Sequence, residues 1–204
     1  MSINLEAINQ ADSQDIIEQL LQRNQRSICT TNFRPYEAVL IHMLVQHAPK
    51  IPIIWMDSGY NTKETYLFAD QLTQKLNLNL IIYHPKISKA HYQAINGEQT
   101  PEIDTPAHDQ FTQLVKIEPF ERALAEQQPE IWWTALRAED SAFRANMDKV
   151  SINHDGLIKV APLLDWTSQD MWAYLQTHDL PNNDHYFDPT KAVEKRECGL
   201  HLKH

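Results

Sequence analysis

The apolar positions change period along the chain, and each change marks an element. Ile16, Ile17, Leu20 and Leu21 form one helical stripe behind Asp12-Ser13, which can cap a helix running to about Arg23. Ser27 to Thr31 is a short strand candidate. After Pro35, the positions Ala38, Val39, Ile41, His42 and Val45 read as a helix that ends before Pro49. Ile51-Pro52-Ile53-Ile54-Trp55-Met56 is continuously apolar, as expected of a strand buried on both faces of a parallel sheet. Asn61 or Thr62 then caps a helix with Tyr66, Ala69, Leu72 and Leu76 on one face, and Leu78 to Tyr83 reads as the next strand. This alternation predicts a doubly wound α/β domain with a mainly parallel sheet.

The pattern lapses from Ser88 to His108, a polar stretch with Pro101 and Pro106 that reads as a loop or a partly helical excursion. It recovers where Pro119 opens a helix to about Gln127 and Ile131 to Leu136 forms a strand. Asp148 to Pro162 predicts a hairpin turning at His154-Asp155-Gly156, and Thr167 or Ser168 caps a helix through Gln176. Leu180 to Lys195 is rich in Pro, Asn and Asp without periodicity, which predicts a mobile C-terminal arm. The expected organisation is one α/β domain over residues 1–179 and an arm over 180–204.

Composition narrows the function. A chain of 204 residues, 42% hydrophobic and 22% charged, suits one soluble globular domain. No apolar run approaches the roughly 20 residues of a membrane span, and Met1 to Gln25 has polar residues throughout, so a cytoplasmic location is expected. The net charge of −9 argues against nucleic acid or anionic membrane as partners. A small anion would require cations gathered in one pocket. Cys29 and Cys198, the two cysteines, lie far apart, which fits a reducing compartment and cannot supply a four-cysteine cluster. Cys29, inside a strand, reads as a small apolar filler.

Candidate chemistry gathers at four places. In Lys195-Arg196-Glu197-Cys198-Gly199-Leu200-His201, neighbouring cations lower the thiol pKa of Cys198 and favour the nucleophilic thiolate, and Gly199 keeps bulk away from the sulfur. Asp57-Ser58-Gly59-Tyr60 lies at the carboxyl end of a predicted parallel strand, where open α/β sheets bind ligands, although Asp-Ser-Gly is also a common turn. Arg137 and Arg144, with Glu139, Ser141 and Asn146, suit bidentate recognition of phosphate or sulfate; a surface ion-pair network with Glu139 and Asp140 is the competing reading. Cys198, His185, His201 and His204 match no common zinc spacing, so no metal is expected.

The tail heptapeptide resembles the C-terminal signature of the phosphoadenosine-phosphosulfate (PAPS) reductase family. So do the run from Ile51 to Tyr66, the stretch Leu136-Arg137 to Asn146, Lys116-Ile117-Glu118-Pro119 with Arg122, and Pro162 to Trp166. The resemblance implies an adenine-nucleotide α-hydrolase-like (PP-loop or HUP-type) fold that binds PAPS at the sheet's carboxyl edge. It implies Cys198 as the nucleophile that takes the sulfonate, with thioredoxin or glutaredoxin then releasing sulfite, and it allows a homodimer. Around the substrate it implies Thr30, Thr31, Arg34, Asp57 and Gly59, then Lys116, Arg137 and Arg144, and Lys195, Arg196 and His201 in the tail. No cofactor is implied: Leu114-Val115 and Asn182-Asn183 leave no cysteines for the iron–sulfur cluster of the related adenylylsulfate reductases, which favours the 3′-phosphorylated substrate. The Ser-Gly-Gly loop of adenylating ATP pyrophosphatases is absent.

One departure bears on activity. Relatives follow their Ser/Thr loop with Phe-Gly, whereas Thr30-Thr31-Asn32-Phe33 here precedes Arg34-Pro35. Arg34 either supplies a direct cationic contact or blocks a phosphate site that glycine would open, the second making the chain a catalytically impaired nucleotide-binding paralogue.

Overall fold

A computed structural model describes residues 3–190. Its centre is a six-stranded sheet in the order β3-β2-β1-β4-β6-β5. The strands are β1 (Ser27–Thr31), β2 (Pro52–Met56), β3 (Asn79–Tyr83), β4 (Ile131–Trp133), β5 (Val150–Ile152) and β6 (Ile158–Val160). All neighbours are parallel except the β5–β6 hairpin, which turns at the expected Asp-Gly. Cys29 registers with Ile53 on one side and Trp133 on the other.

Alternation along the buried strands feeds two cores. Cys29, Ile53, Trp55 and Trp133 face helices α2 (Ser13–Leu21), α3 (Glu37–His47), α4 (Lys63–Leu76) and α8 (Ser168–Thr177). Ile28, Ile54, Met56 and Trp132 face α7 (Glu118–Gln127) through Phe120 and Ala123. Helices on both faces make the sheet doubly wound, as the apolar runs predict. Caps fall where the sequence places them: Asp12, Thr62 and Thr167 each accept a first-turn backbone N–H. The short α1 (Leu5–Gln10) closes the β5 edge, because the Asn9 amide both donates to the Val150 carbonyl and accepts from its N–H.

One helix face differs from the sequence reading, and the excursion after β3 is partly helical, as that reading allowed. The buried face of α4 is Thr65, Phe68, Ala69 and Leu72, while Tyr66 is 38% exposed and uses its hydroxyl at the sheet edge. The excursion after β3 contains α5 (Lys89–Asn96) and α6 (Pro106–Thr112). From α6 the chain runs through a π-helical turn, Gln113–Ile117, directly into α7. Pro119 in an ordinary helix would clash with the carbonyl four residues back, and the wider turn relieves that contact while burying Lys116.

Candidate functional site at the carboxyl edge of the sheet

The strand order reverses between β1 and β4, which places a crevice at their carboxyl ends. The loop leaving β1 is held by one carboxylate. Glu37, buried in the first turn of α3, accepts the Thr31 hydroxyl at 2.6 Å and the Asn32 N–H at 2.8 Å, and Thr31 Oγ1 accepts the Phe33 N–H at 2.9 Å. Phe33 and Tyr36 sit at φ 55° and 70°, so the loop turns twice through left-handed backbone without glycine. Thr30 Oγ1 accepts the indole N–H of Trp132 at 2.9 Å. Both threonine hydroxyls are therefore engaged within the protein.

Arg34 crosses from this loop toward the end of β4. It donates to Glu37 at 3.2 Å, to the Ala135 carbonyl at 2.9 Å and to Asp140 at 2.8 Å. Burial works against its charge, but Glu37 and then Asp140 outweigh burial and raise its pKa above the ordinary value. Arg137 donates to Glu139, Ser168 and Asp140 and lies 5.1 Å from the Tyr36 ring centroid; Arg144 donates to Asp140 at 2.8 Å. The ion-pair network that competed with the anion-binding reading is thus present, but Arg137 and Arg144 are buried in it.

Just after β2, Asp57 organises its own loop. Its Oδ1 accepts the Gly59 N–H at 2.9 Å, the Asn61 amide at 2.8 Å and the Tyr66 hydroxyl at 2.9 Å, and Oδ2 lies 3.5 Å from His84 Nδ1. Burial and then Asp57 push the Tyr66 hydroxyl pKa up to about 12. Gly59 is needed for its φ of 79°, since a Cβ there would meet Lys89 at an ordinary 3.6 Å.

The segment read as a mobile arm is, as far as Thr190, a packed strap. Asn182 accepts the Tyr36 N–H at 2.8 Å, Asn183 donates to the Phe33 carbonyl at 2.7 Å and to Thr65 Oγ1 at 3.0 Å, and Thr62 donates to the His185 carbonyl at 3.0 Å. Asn183, Asp188 and Thr190 are buried against their partners, which composition alone does not distinguish from solvation. Asp188 takes Lys116 at 2.5 Å and both Thr190 donors, with both charged side chains buried. Burial pushes the Asp188 pKa up, and Lys116 with Thr190 pulls it well below the usual carboxylate range. Between the strap and Asn32, Met56, Ser58 and Asn61 a cavity of about 20 Å³ remains, about the space of one water.

Of the sequence candidates, Thr31, Arg34, Arg137 and Arg144 converge through Glu37 and Asp140, Asp57 and Gly59 lie in the loop after β2, and Lys116 is drawn to the strap. Lys195, Arg196, Cys198 and His201 lie outside the described residues. Cys29 is buried, and burial followed by Glu37 raises its thiol pKa, consistent with packing rather than nucleophilic work. Sequence reasoning did not assign Glu37, Asn183 or Asp188 a role; an acid in the first turn of α3 was the one local signal.

The reversed sheet with loops and cations at its carboxyl edge defines a nucleotide-binding α/β domain of the adenine-nucleotide α-hydrolase-like class. Residues 27–192 match the phosphoadenosine phosphosulfate reductase domain, and the chain belongs to that family. It is 36% identical over 199 residues to a phosphoadenosine 5′-phosphosulfate reductase of Synechocystis, covering 86% of this chain and 79% of that one. A protein of the same name from Synechococcus is 33% identical over 98% of this chain and 96% of its own length. Among solved structures, the PAPS reductase of Candida auris in a phosphate complex superposes with a TM-score of 0.75 at 22% identity, covering 90% and 91% of the two chains. The U34-tRNA thiolase NcsA of Methanococcus maripaludis superposes at 0.62 and 11% identity, over 90% and 68%. These two likenesses concern the fold.

Proposed function

We propose that the chain is a PAPS reductase of assimilatory sulfate reduction, with Cys198 as its nucleophile. The thiolate attacks the sulfonyl sulfur, the bond from sulfur to the bridging phosphate oxygen breaks, and adenosine 3′,5′-bisphosphate leaves. Cys198 is then a cysteine S-sulfonate. A dithiol protein of the thioredoxin or glutaredoxin type attacks the Cys198 sulfur and releases sulfite. Its second thiol resolves the mixed disulfide, so the donor ends as a disulfide and Cys198 as a thiol. Arg34, Arg137 and Arg144 hold the phosphate and sulfonate oxygens and stabilise charge on the leaving phosphate. Asp57 and Gly59 shape the second nucleotide loop, and Lys195, Arg196 and His201 lower the thiol pKa.

The observation that supports this most is the convergence of three arginines at the β1–β4 crevice in a chain of this family. Intact mass after mixing the reduced protein with PAPS tests it: one sulfonate is gained, and Cys198→Ser gains none, forms no sulfite and binds the bisphosphate within a few-fold. Substantial turnover by Cys198→Ser overturns the nucleophile assignment. One observation favours a second reading, an impaired nucleotide-binding paralogue: Glu37 already occupies the Thr31 hydroxyl and Asn32 N–H that a phosphate would use. That reading expects bisphosphate binding without sulfonate transfer.

A further inference from the structure

Asp140 ends the short 3-10 turn Ala138–Asp140, and its carboxylate gathers two arginines close in sequence, Arg137 and Arg144, with Arg34 from 106 residues away. Its Oδ2 accepts Arg34 Nη2 and Arg144 Nη1, both at 2.8 Å, and its Oδ1 accepts Arg137 Nη2 at 2.9 Å. Arg34 comes from the loop after β1, Arg137 from the end of β4, and Arg144 from the 3-10 turn Arg144–Asn146. Guanidinium groups brought this close repel one another, and the carboxylate between them offsets the repulsion. Asp140 is itself largely buried, and while burial pushes its pKa up, Arg34, Arg137 and Arg144 hold it below the usual carboxylate range.

The cluster keeps capacity for a ligand. Among the described residues no hydrogen bond uses Arg34 Nη1 or Arg137 Nε, and the Arg34 side chain is 22% exposed against 14% for Asp140. Glu37, Glu139 and Asp140 together balance the three guanidinium charges, so geometry rather than surplus charge distinguishes the site.

We propose that Asp140 is the positioning residue of an oxyanion cradle, holding Arg34, Arg137 and Arg144 convergent so that the phosphoryl or sulfonyl oxygens of the nucleotide meet three cations already in place. The identity of the nucleotide rests on the reductase reading. Asp140 touches no substrate and acts through the arginines, removing the ordering cost that each long side chain would otherwise bring to binding. The charge and both oxygens matter. An asparagine turns an NH₂ either toward Arg137 or toward Arg34 and Arg144, and a donor facing a donor breaks the convergence.

A double-mutant cycle tests this, with adenosine 3′,5′-bisphosphate and, separately, inorganic pyrophosphate titrated calorimetrically into wild type, Asp140→Asn, Arg34→Ala and the double variant. Each single change is expected to weaken bisphosphate binding about ten-fold, the scale of one hydrogen bond to a charged group. The double variant is expected within about three-fold of the weaker single, because Arg34 without its anchor contributes little. Asp140→Glu, which keeps the charge one methylene further out, should recover part of the affinity, and it carries the same cycle where the asparagine variant does not fold. Multiplying effects, or binding by Asp140→Asn as tight as wild type with an unchanged melting temperature, would overturn the cradle. Wild-type protein that forms sulfite while the cycle is additive sinks the cradle alone. Wild-type protein that binds pyrophosphate in an Asp140-dependent way but forms no sulfite sinks the reductase reading alone. Binding of neither anion sinks the cradle as well.

Discussion

Two buried charge clusters stand at the same edge of the sheet, and they differ in how many cations share one carboxylate. Among the described residues Asp188 has one cationic partner, Lys116, whereas Asp140 has three arginines. Removing the sole partner of a buried charge leaves it uncompensated, which costs far more than the intact pair contributes. Removing one of three leaves the carboxylate paired. The first cluster is therefore a structural staple between the strap and the π turn, and the second can lend a guanidinium to a ligand while the fold persists.

The largest expected effect falls on the staple. Lys116→Met should destabilise the protein by about 3–5 kcal/mol in urea unfolding, and Lys116→Met with Asp188→Leu should recover most of that loss. A single variant no less stable than Arg137→Ala would erase the distinction between the clusters. Next, Arg137→Ala or Arg144→Ala should weaken bisphosphate binding by about 1.5–3 kcal/mol. Unchanged calorimetric affinity in both would return these arginines to a purely structural network.

Acid sharpens the same comparison. The pKa values of Asp188 and Asp140 are depressed in the fold, so each contributes stability that is present above the unfolded carboxylate value and is lost as pH falls through the folded one. Stability should therefore decline below about pH 4, with a slope of about 1.4 kcal/mol per pH unit for each proton taken up. Asp188→Asn should flatten that limb; an unaltered limb in chemical denaturation would remove the Asp188 pair as its source. The smallest effect is expected at Cys29, where serine buries a hydroxyl in place of a thiol. Sulfite formation should be kept and stability reduced by about 1–2 kcal/mol, and loss of turnover would give Cys29 a chemical role that its raised pKa speaks against.

The sequence by itself determined the sheet and its helices, because the signals there are local and repeated. Continuous apolar runs at Ile51 to Met56 and Ile131 to Trp133 can satisfy only buried strands, and Asp12, Thr62 and Thr167 cap the helices that follow them. It also singled out Arg137 and Arg144 by their spacing after a strand, and Arg34 as a departure from the Phe-Gly that relatives carry there. It offered the local ion pairs of Arg137 and Arg144 with Asp140; what it did not contain was the place of Arg34 among them, or the partner of Lys116. Asp140 lies 106 residues from Arg34, and Asp188 lies 72 from Lys116; no periodicity links positions so far apart. Nor did composition separate a strap from an arm, because Asn183 and Asp188 are as polar when they bond inward as when they face water. Ion pairing and strap packing depend on which side chains the closed sheet brings within a few ångströms, so they were decided only by the tertiary structure.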